Sequence, residues 1–108
     1  MRRRFLSVLL SLCLVLGLLP TEAFAQDTIQ YVALGDSITA GYRLADDEKA
    51  FPEIIAEDNG YVLTNLANSG DTSGDLLDVV QDPANAGDLA SADLITITIG
   101  GNDLMGAL

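Results

Sequence analysis

Between Tyr31 and Gly101, short apolar runs that each lead into a glycine-bearing turn alternate with helical segments. This alternation constrains the fold more than any other feature of the chain. Tyr31-Val32-Ala33-Leu34 ends at Gly35 and reads as a buried strand. Tyr61-Val62-Leu63, with Leu66, reads as a second strand and leads into Asn68-Ser69-Gly70. The run from Leu94 to Ile99 is the clearest, because its β-branched residues suit a pleated sheet, and it stops at Gly100-Gly101. Between the first two runs, Phe51, Ile54 and Ile55 fall at i, i+3 and i+4. Pro52 suits a first helical turn there, and Asn59-Gly60 a stop. Between the second and third, Thr72 and Asp75 are spaced as a capping box ahead of Leu76, Leu77, Val79 and Val80. Those four are expected to share one helical face, with Asp82-Pro83 ending the helix.

Strands that alternate with helices imply parallel pairing through crossover connections, and hence an α/β fold. Every strand of such a sheet ends at the same edge, where open α/β folds bind ligands. Ser37 and Gly70 are 33 residues apart, and Gly70 and Asn102 are 32 apart. Each interval is about one βαβ unit, which takes roughly 30 residues or more. Ser37, Gly70 and Asn102 are therefore expected to project from three successive loops onto one rim.

A serine just past a strand can be held exposed with its own N–H turned toward a bound carbonyl, and Gly35 allows the tight backbone this needs. Gly70 can offer a second N–H with no side chain in the way, and Asn102 a side-chain amide. Three donors converging on one oxygen form an oxyanion hole, which suits acyl transfer through a tetrahedral intermediate. Taken singly, the same residues have plainer readings: Gly35-Asp36-Ser37 as a turn, and Asn102-Asp103 after two glycines as a helix cap. Asp36 and Asp103 read as structural carboxylates accepting backbone hydrogen bonds.

Composition removes several classes. The 108 residues allow one domain at most, and their formal charge of −11 excludes the clustered cations that nucleic acid requires. The chain has no His, the usual general base and commonest metal ligand. Gly35 to Gly41 has the outer glycines of a phosphate loop without its Lys, and it is not G-x-S-x-G because Thr39 replaces the second glycine. Asp46, Asp47 and Glu48 lack the alternating ligands of a calcium loop and read as an exposed turn. No cofactor or metal is expected.

The N-terminus reads as a secretory signal peptide over residues 1–25. Met1-Arg2-Arg3-Arg4 is its basic region, Phe5 to Leu19 its apolar run and Ala23-Phe24-Ala25 its cleavage pattern. An apolar run of that length is short for a bilayer span, which takes about 20 residues. The expectation is a secreted protein without a stable membrane span. The remainder carries Arg43 and Lys49 against 15 acids, a net of −13, and no cysteine. Such a surface is well solvated and repels anionic membranes.

The segments from Tyr31 to Tyr42 (YVALGDSITAGY), Asn68 to Thr72 (NSGDT) and Ile99 to Asp103 (IGGND) resemble the first three sequence blocks of the GDSL, or SGNH, hydrolases. The resemblance runs from about Ile29 to Met105. It implies a flavodoxin-like three-layer α/β/α fold with a parallel sheet, here incomplete at the C-terminus. It further implies a serine hydrolase of the esterase/lipase type acting on small-molecule or lipid esters. By position, Ser37 resembles the nucleophile, and the N–H groups of Ser37 and Gly70 with the Asn102 side chain resemble the oxyanion-hole donors. Members of the family carry a later D-x-x-H block that supplies the catalytic Asp and His, and no such block is present. Residues 26–108 are thus expected to be the N-terminal part of an SGNH-type domain, with little turnover alone because Ser37 lacks a base. Gly41-Tyr42-Arg43 and Ser69-Gly70-Asp71-Thr72 are similar to the acyl thioesterase/lysophospholipase subgroup, and carbohydrate deacetylation is a further option within the family. A non-catalytic secreted binding module is the alternative of a different class.

Overall fold

The computed structural model describes residues 28–108, so the signal peptide expected over residues 1–25 lies outside the described residues. The described elements run β1 (Gln30–Gly35), α1 (Ser37–Ala40), α2 (Phe51–Asn59), β2 (Val62–Asn65) and α3 (Ser73–Gln81). A 3₁₀ turn at Pro83–Asn85 follows, then α4 (Ala86–Ala90), β3 (Leu94–Thr98) and α5 (Gly101–Ala107). Among the described residues no helix is long and apolar enough to cross a membrane.

The three strands form one parallel sheet in the order β2-β1-β3. The strand met first in sequence is central and buried, and among the described residues β2 and β3 flank it. The register pairs Tyr31 with Leu63 on one side and Leu94 on the other. Alternate residues of β1 therefore serve two cores. On one face Tyr31 and Ala33 pack with Ala56 of α2, joined by Ile55, Tyr61, Leu63 and Leu94. On the other, Val32 and Leu34 pack with Leu76 of α3, joined by Leu66, Val79, Leu89 and Ile99. Helices cover both faces of the sheet, so the arrangement is the three-layer α/β/α expected of the chain.

Caps and stops follow the local chemistry. Gly60 ends α2 in the left-handed region (φ +69°), its N–H donating to Ala56 O. The capping box at α3 is complete, with Thr72 Oγ1 accepting from Asp75 N–H and Asp75 Oδ2 accepting from Thr72 N–H. Asp82 ends α3 and caps the following turn through Ala84 N–H. That turn and α4 have no counterpart in the sequence reading.

On α2, Pro52 and Ala56 are buried and Ile55 packs against the core, while Ile54 is 47% exposed. Small Ala56 is the residue of α2 that packs with Tyr31 and Ala33. Two expectations about faces and ends are corrected. On α3, Leu76 is buried and Val79 half-buried, but Leu77 and Val80 face solvent, so the four apolar residues do not share one packed face. β3 ends at Thr98, and Ile99 packs in the core after the strand has closed.

Candidate active site

The site is built where β1 and β3 deliver their C-terminal ends. The chain leaves β1 for β2 on one side and later returns to β3 on the other. The ends of β1 and β3 therefore flank a topological switch point, the crevice in which open α/β sheets bind ligands. Ser37 opens the helix that follows β1, and Asn102 lies in the first turn of the helix that follows β3.

Gly35 makes the first turn possible, at φ +138° opposite Thr98. A Cβ there would lie 2.1 Å from Thr98 O and 2.6 Å from Thr98 Oγ1, so the strand crossing admits only glycine. Asp36 N–H donates to Thr98 O (3.0 Å). The buried Asp36 carboxylate accepts from Ile38 N–H (3.1 Å) and from Thr98 Oγ1–H (2.9 Å), capping α1 and locking it to β3. Thr39, fully buried, shares a 2.7 Å hydrogen bond with Thr98 Oγ1, and Asn65 Nδ2 donates to Thr39 O (3.0 Å). Asp36 thus has the structural role expected of it. The network leaves Ser37 half-buried at the first position of α1, since the capping carboxylate takes the N–H of Ile38 and not that of Ser37.

Gly70 lies in the turn Asn68–Asp71, closed by Asp71 N–H donating to Asn68 O (3.3 Å). Its φ of +89° is the left-handed conformation that the third position of a type II turn demands. The closing bond uses the Asp71 N–H, so the Gly70 N–H is not consumed by the turn. The turn is anchored to the sheet by Asn68 N–H donating to Gly35 O (3.0 Å).

Asn102 sits within the first turn of α5 and does not cap it; Gly100 holds the cap position. Asn102 Nδ2 donates to Asp71 O (2.8 Å), which orients the carboxamide and leaves its second N–H unspent. Asp103 is not a cap either. Its Oδ2 accepts from Ser73 N–H (2.9 Å) and its Oδ1 from Ser73 Oγ–H (2.7 Å), bridging α5 to the start of α3.

The structure brings Ser37, Gly70 and Asn102 together: all three line one cleft of about 400 Å³, with Tyr42, Ser69 and Met105 completing its wall. Sequence reasoning did not assign Tyr42, Ser69 or Met105 to the site, although Tyr42 and Ser69 stand in the quoted motifs. Met105 could have been found from its place one helical turn after Asn102. Arg43 follows Tyr42 in a left-handed conformation (φ +64°), its guanidinium 5.3 Å from the Tyr42 ring centre. Asp46, Asp47 and Glu48 form the exposed turn expected of them, with Glu48 Oε2 accepting from Ala45 N–H.

The two Ser73 hydrogen bonds, side-chain first, hold the Asp103 carboxyl below its ordinary value. A carboxyl depressed on folding adds stability above its unfolded pKa, and that stability is lost as pH falls through the folded pKa. Asp103→Asn is therefore expected to lower Tm near neutral pH, with the gap from wild type closing as the pH drops below the carboxylate range. Thermal melts across an acid series check this, and a gap that widened in acid would contradict it.

The chain is similar to known proteins. The family model for the GDSL-like Lipase/Acylhydrolase family matches residues 33–108. Lipase 2 of Streptomyces coelicolor is 35% identical, over 75% of this chain and 32% of its own length. Among solved structures, the lipase Lip_vut3 from a goat rumen metagenome superposes with a TM-score of 0.63 at 35% identity, covering 74% of this chain and 41% of that one. AlinE4, an SGNH-hydrolase family esterase, gives 0.58 at 28% identity, covering 78% of this chain and 46% of that one. The chain spans about a third of the curated relative and under half of these solved ones. The family match takes in all three loops that meet at the cleft, and the chain belongs to the GDSL-like lipase/acylhydrolase family.

Proposed function

We propose that this chain carries the nucleophile and oxyanion hole of a secreted carboxylic-ester hydrolase. The observation that supports this best is the single cleft lined by Ser37, Gly70 and Asn102, each delivered by a different loop at the same sheet edge. In this reading Ser37 Oγ attacks the ester carbonyl. The oxygen that becomes negative is received by the N–H groups of Ser37 and Gly70 and by the free N–H of Asn102 Nδ2. Collapse expels the alcohol and leaves an acyl group on Ser37 Oγ; water then attacks that acyl-enzyme through a second tetrahedral state held by the same donors. The donors are fixed before substrate arrives, because Asp71 O, the Asn68–Asp71 turn and the Asp36 cap hold them.

The proton of Ser37 needs a base, and the 108 residues contain no His. In members of the family a later D-x-x-H block supplies that base, and this reading assigns the role to such a block. Export rests on the basic, apolar and A-x-A pattern of residues 1–25. The names of the similar proteins, lipase and esterase, support carboxylic esters as the substrate class.

The test is covalent trapping. The full-length protein, treated with a fluorophosphonate, is expected to gain one phosphonyl group on the peptide containing Ser37, read by mass spectrometry. Hydrolysis of p-nitrophenyl acetate should be lost in step with labelling. An adduct on another residue, or retained hydrolysis after complete labelling of Ser37, would overturn the reading.

A further inference from the structure

We propose that Asp103 is a positioning residue for this reaction: by gripping Ser73, its carboxylate holds the Gly70 turn in register with Asn102 across the cleft. The proposal rests on the ester-hydrolase reading of the cleft.

Gly70 and Asn102 belong to different loops, 32 residues apart in sequence, so the gap between their donors is set by whatever ties the loops together. Two links do so. Asn102 Nδ2 donates to Asp71 O at 2.8 Å, and Asp103 receives Ser73 N–H at 2.9 Å and Ser73 Oγ–H at 2.7 Å. They leave adjacent residues of α5 and land on either side of Thr72, the N-cap of α3. One hydrogen bond is a pivot, whereas two bonds to points either side of the cap also fix the angle.

The loop needs such fixing. Ser69, Gly70 and Ser73 are exposed, and no side chain packs against the position a Gly70 Cβ would take. The Ser73 bonds are charge-assisted and donate to a carboxylate, so they are stronger than the neutral bond from Asn102. Ser73 and Asp103 lie outside the cleft lining, so Asp103 acts through Gly70 and Asn102 rather than on substrate.

The test uses the full-length protein with p-nitrophenyl acetate, counting active sites by fluorophosphonate labelling. Asp103→Ala is expected to lower kcat per labelled serine by about 10- to 100-fold, since a misplacement of about 1 Å carries that cost. KM should change by less than about 3-fold, because the oxyanion contacts strengthen only in the transition state. Ser73→Ala should show a smaller loss, Ser73→Thr should restore most of it, and the Ala/Ala double variant should be no slower than Asp103→Ala alone.

An unchanged kcat per labelled serine in Asp103→Ala would overturn the proposal, whatever happens to Tm. If Asp103→Ala does not fold, Ser73→Ala decides, and a wild-type kcat there overturns it equally. If the label falls elsewhere than Ser37, the hydrolase reading has failed and the clamp with it. If the label falls on Ser37 and kcat ignores both positions, the clamp alone has failed.

Discussion

Ser37→Ala in the full-length protein is expected to lower kcat/KM toward a short p-nitrophenyl ester by about 10⁴-fold or more, the loss seen when a serine nucleophile is deleted. The variant should remain folded, because the hydrogen bonds that place this residue do not use its hydroxyl. Gly41 N–H and Tyr42 N–H both donate to Ser37 O, and the α1 cap is the Asp36 carboxylate. A melting temperature within about 2 °C of wild type is therefore expected beside the lost rate, in keeping with changes of about 0.5 kcal/mol or less away from the core. The residual rate should exceed that of water, since the Gly70 and Asn102 donors remain. Wild-type turnover by the variant would remove Ser37 from the role of nucleophile.

The second large effect is on stability. Gly35→Ala is expected to destabilise the fold by about 3 kcal/mol or more, from backbone strain and overpacking that each cost about 1–3 kcal/mol. At φ +138° the new Cβ would meet Thr98 O at 2.1 Å and Thr98 N at 2.9 Å, backbone atoms of the neighbouring strand that have nowhere to retreat. Relief requires β1 and β3 to part at their C-terminal ends, where Asp36 N–H, Asp36 Oδ1 and Thr39 Oγ1 all meet Thr98. The loss is large against a typical total of about 5–15 kcal/mol, so Tm should fall by about 10 °C or more. Gly70→Ala is the control: its Cβ enters open space, and only the left-handed backbone penalty of about 1–2 kcal/mol applies. Equal melting temperatures for the two variants would show that the Thr98 contact is not limiting.

The strands, the Thr72–Asp75 capping box, the stops at Gly60 and Asp82 and the meeting of Ser37, Gly70 and Asn102 were all legible from residue order. Each depends on chemistry spanning a few residues, or on the length of one βαβ unit. The faces of the helices were less legible. An apolar spacing marks a stripe on α2 or α3, but which edge of the stripe touches the sheet depends on how closely the helix docks. On α2, Ala56 packs with Tyr31 and Ala33 while Ile54 is exposed. The 3₁₀ turn and α4 were missed because their sequence, with Leu89 its one large apolar residue, has no apolar period of its own.

Residue order by itself determined that three parallel strands would end at one edge and carry a hydroxyl, a bare amide and a carboxamide there. Turn chemistry and repeat length are local properties, and they act before the chain has packed. Only the tertiary structure decided that β1 lies in the middle, that Gly35 is demanded by Thr98, and that Asp103 holds Ser73. Those facts are contacts between residues 30 to 63 positions apart in the chain. No spacing rule specifies such contacts, because they exist only once both cores have closed on the sheet.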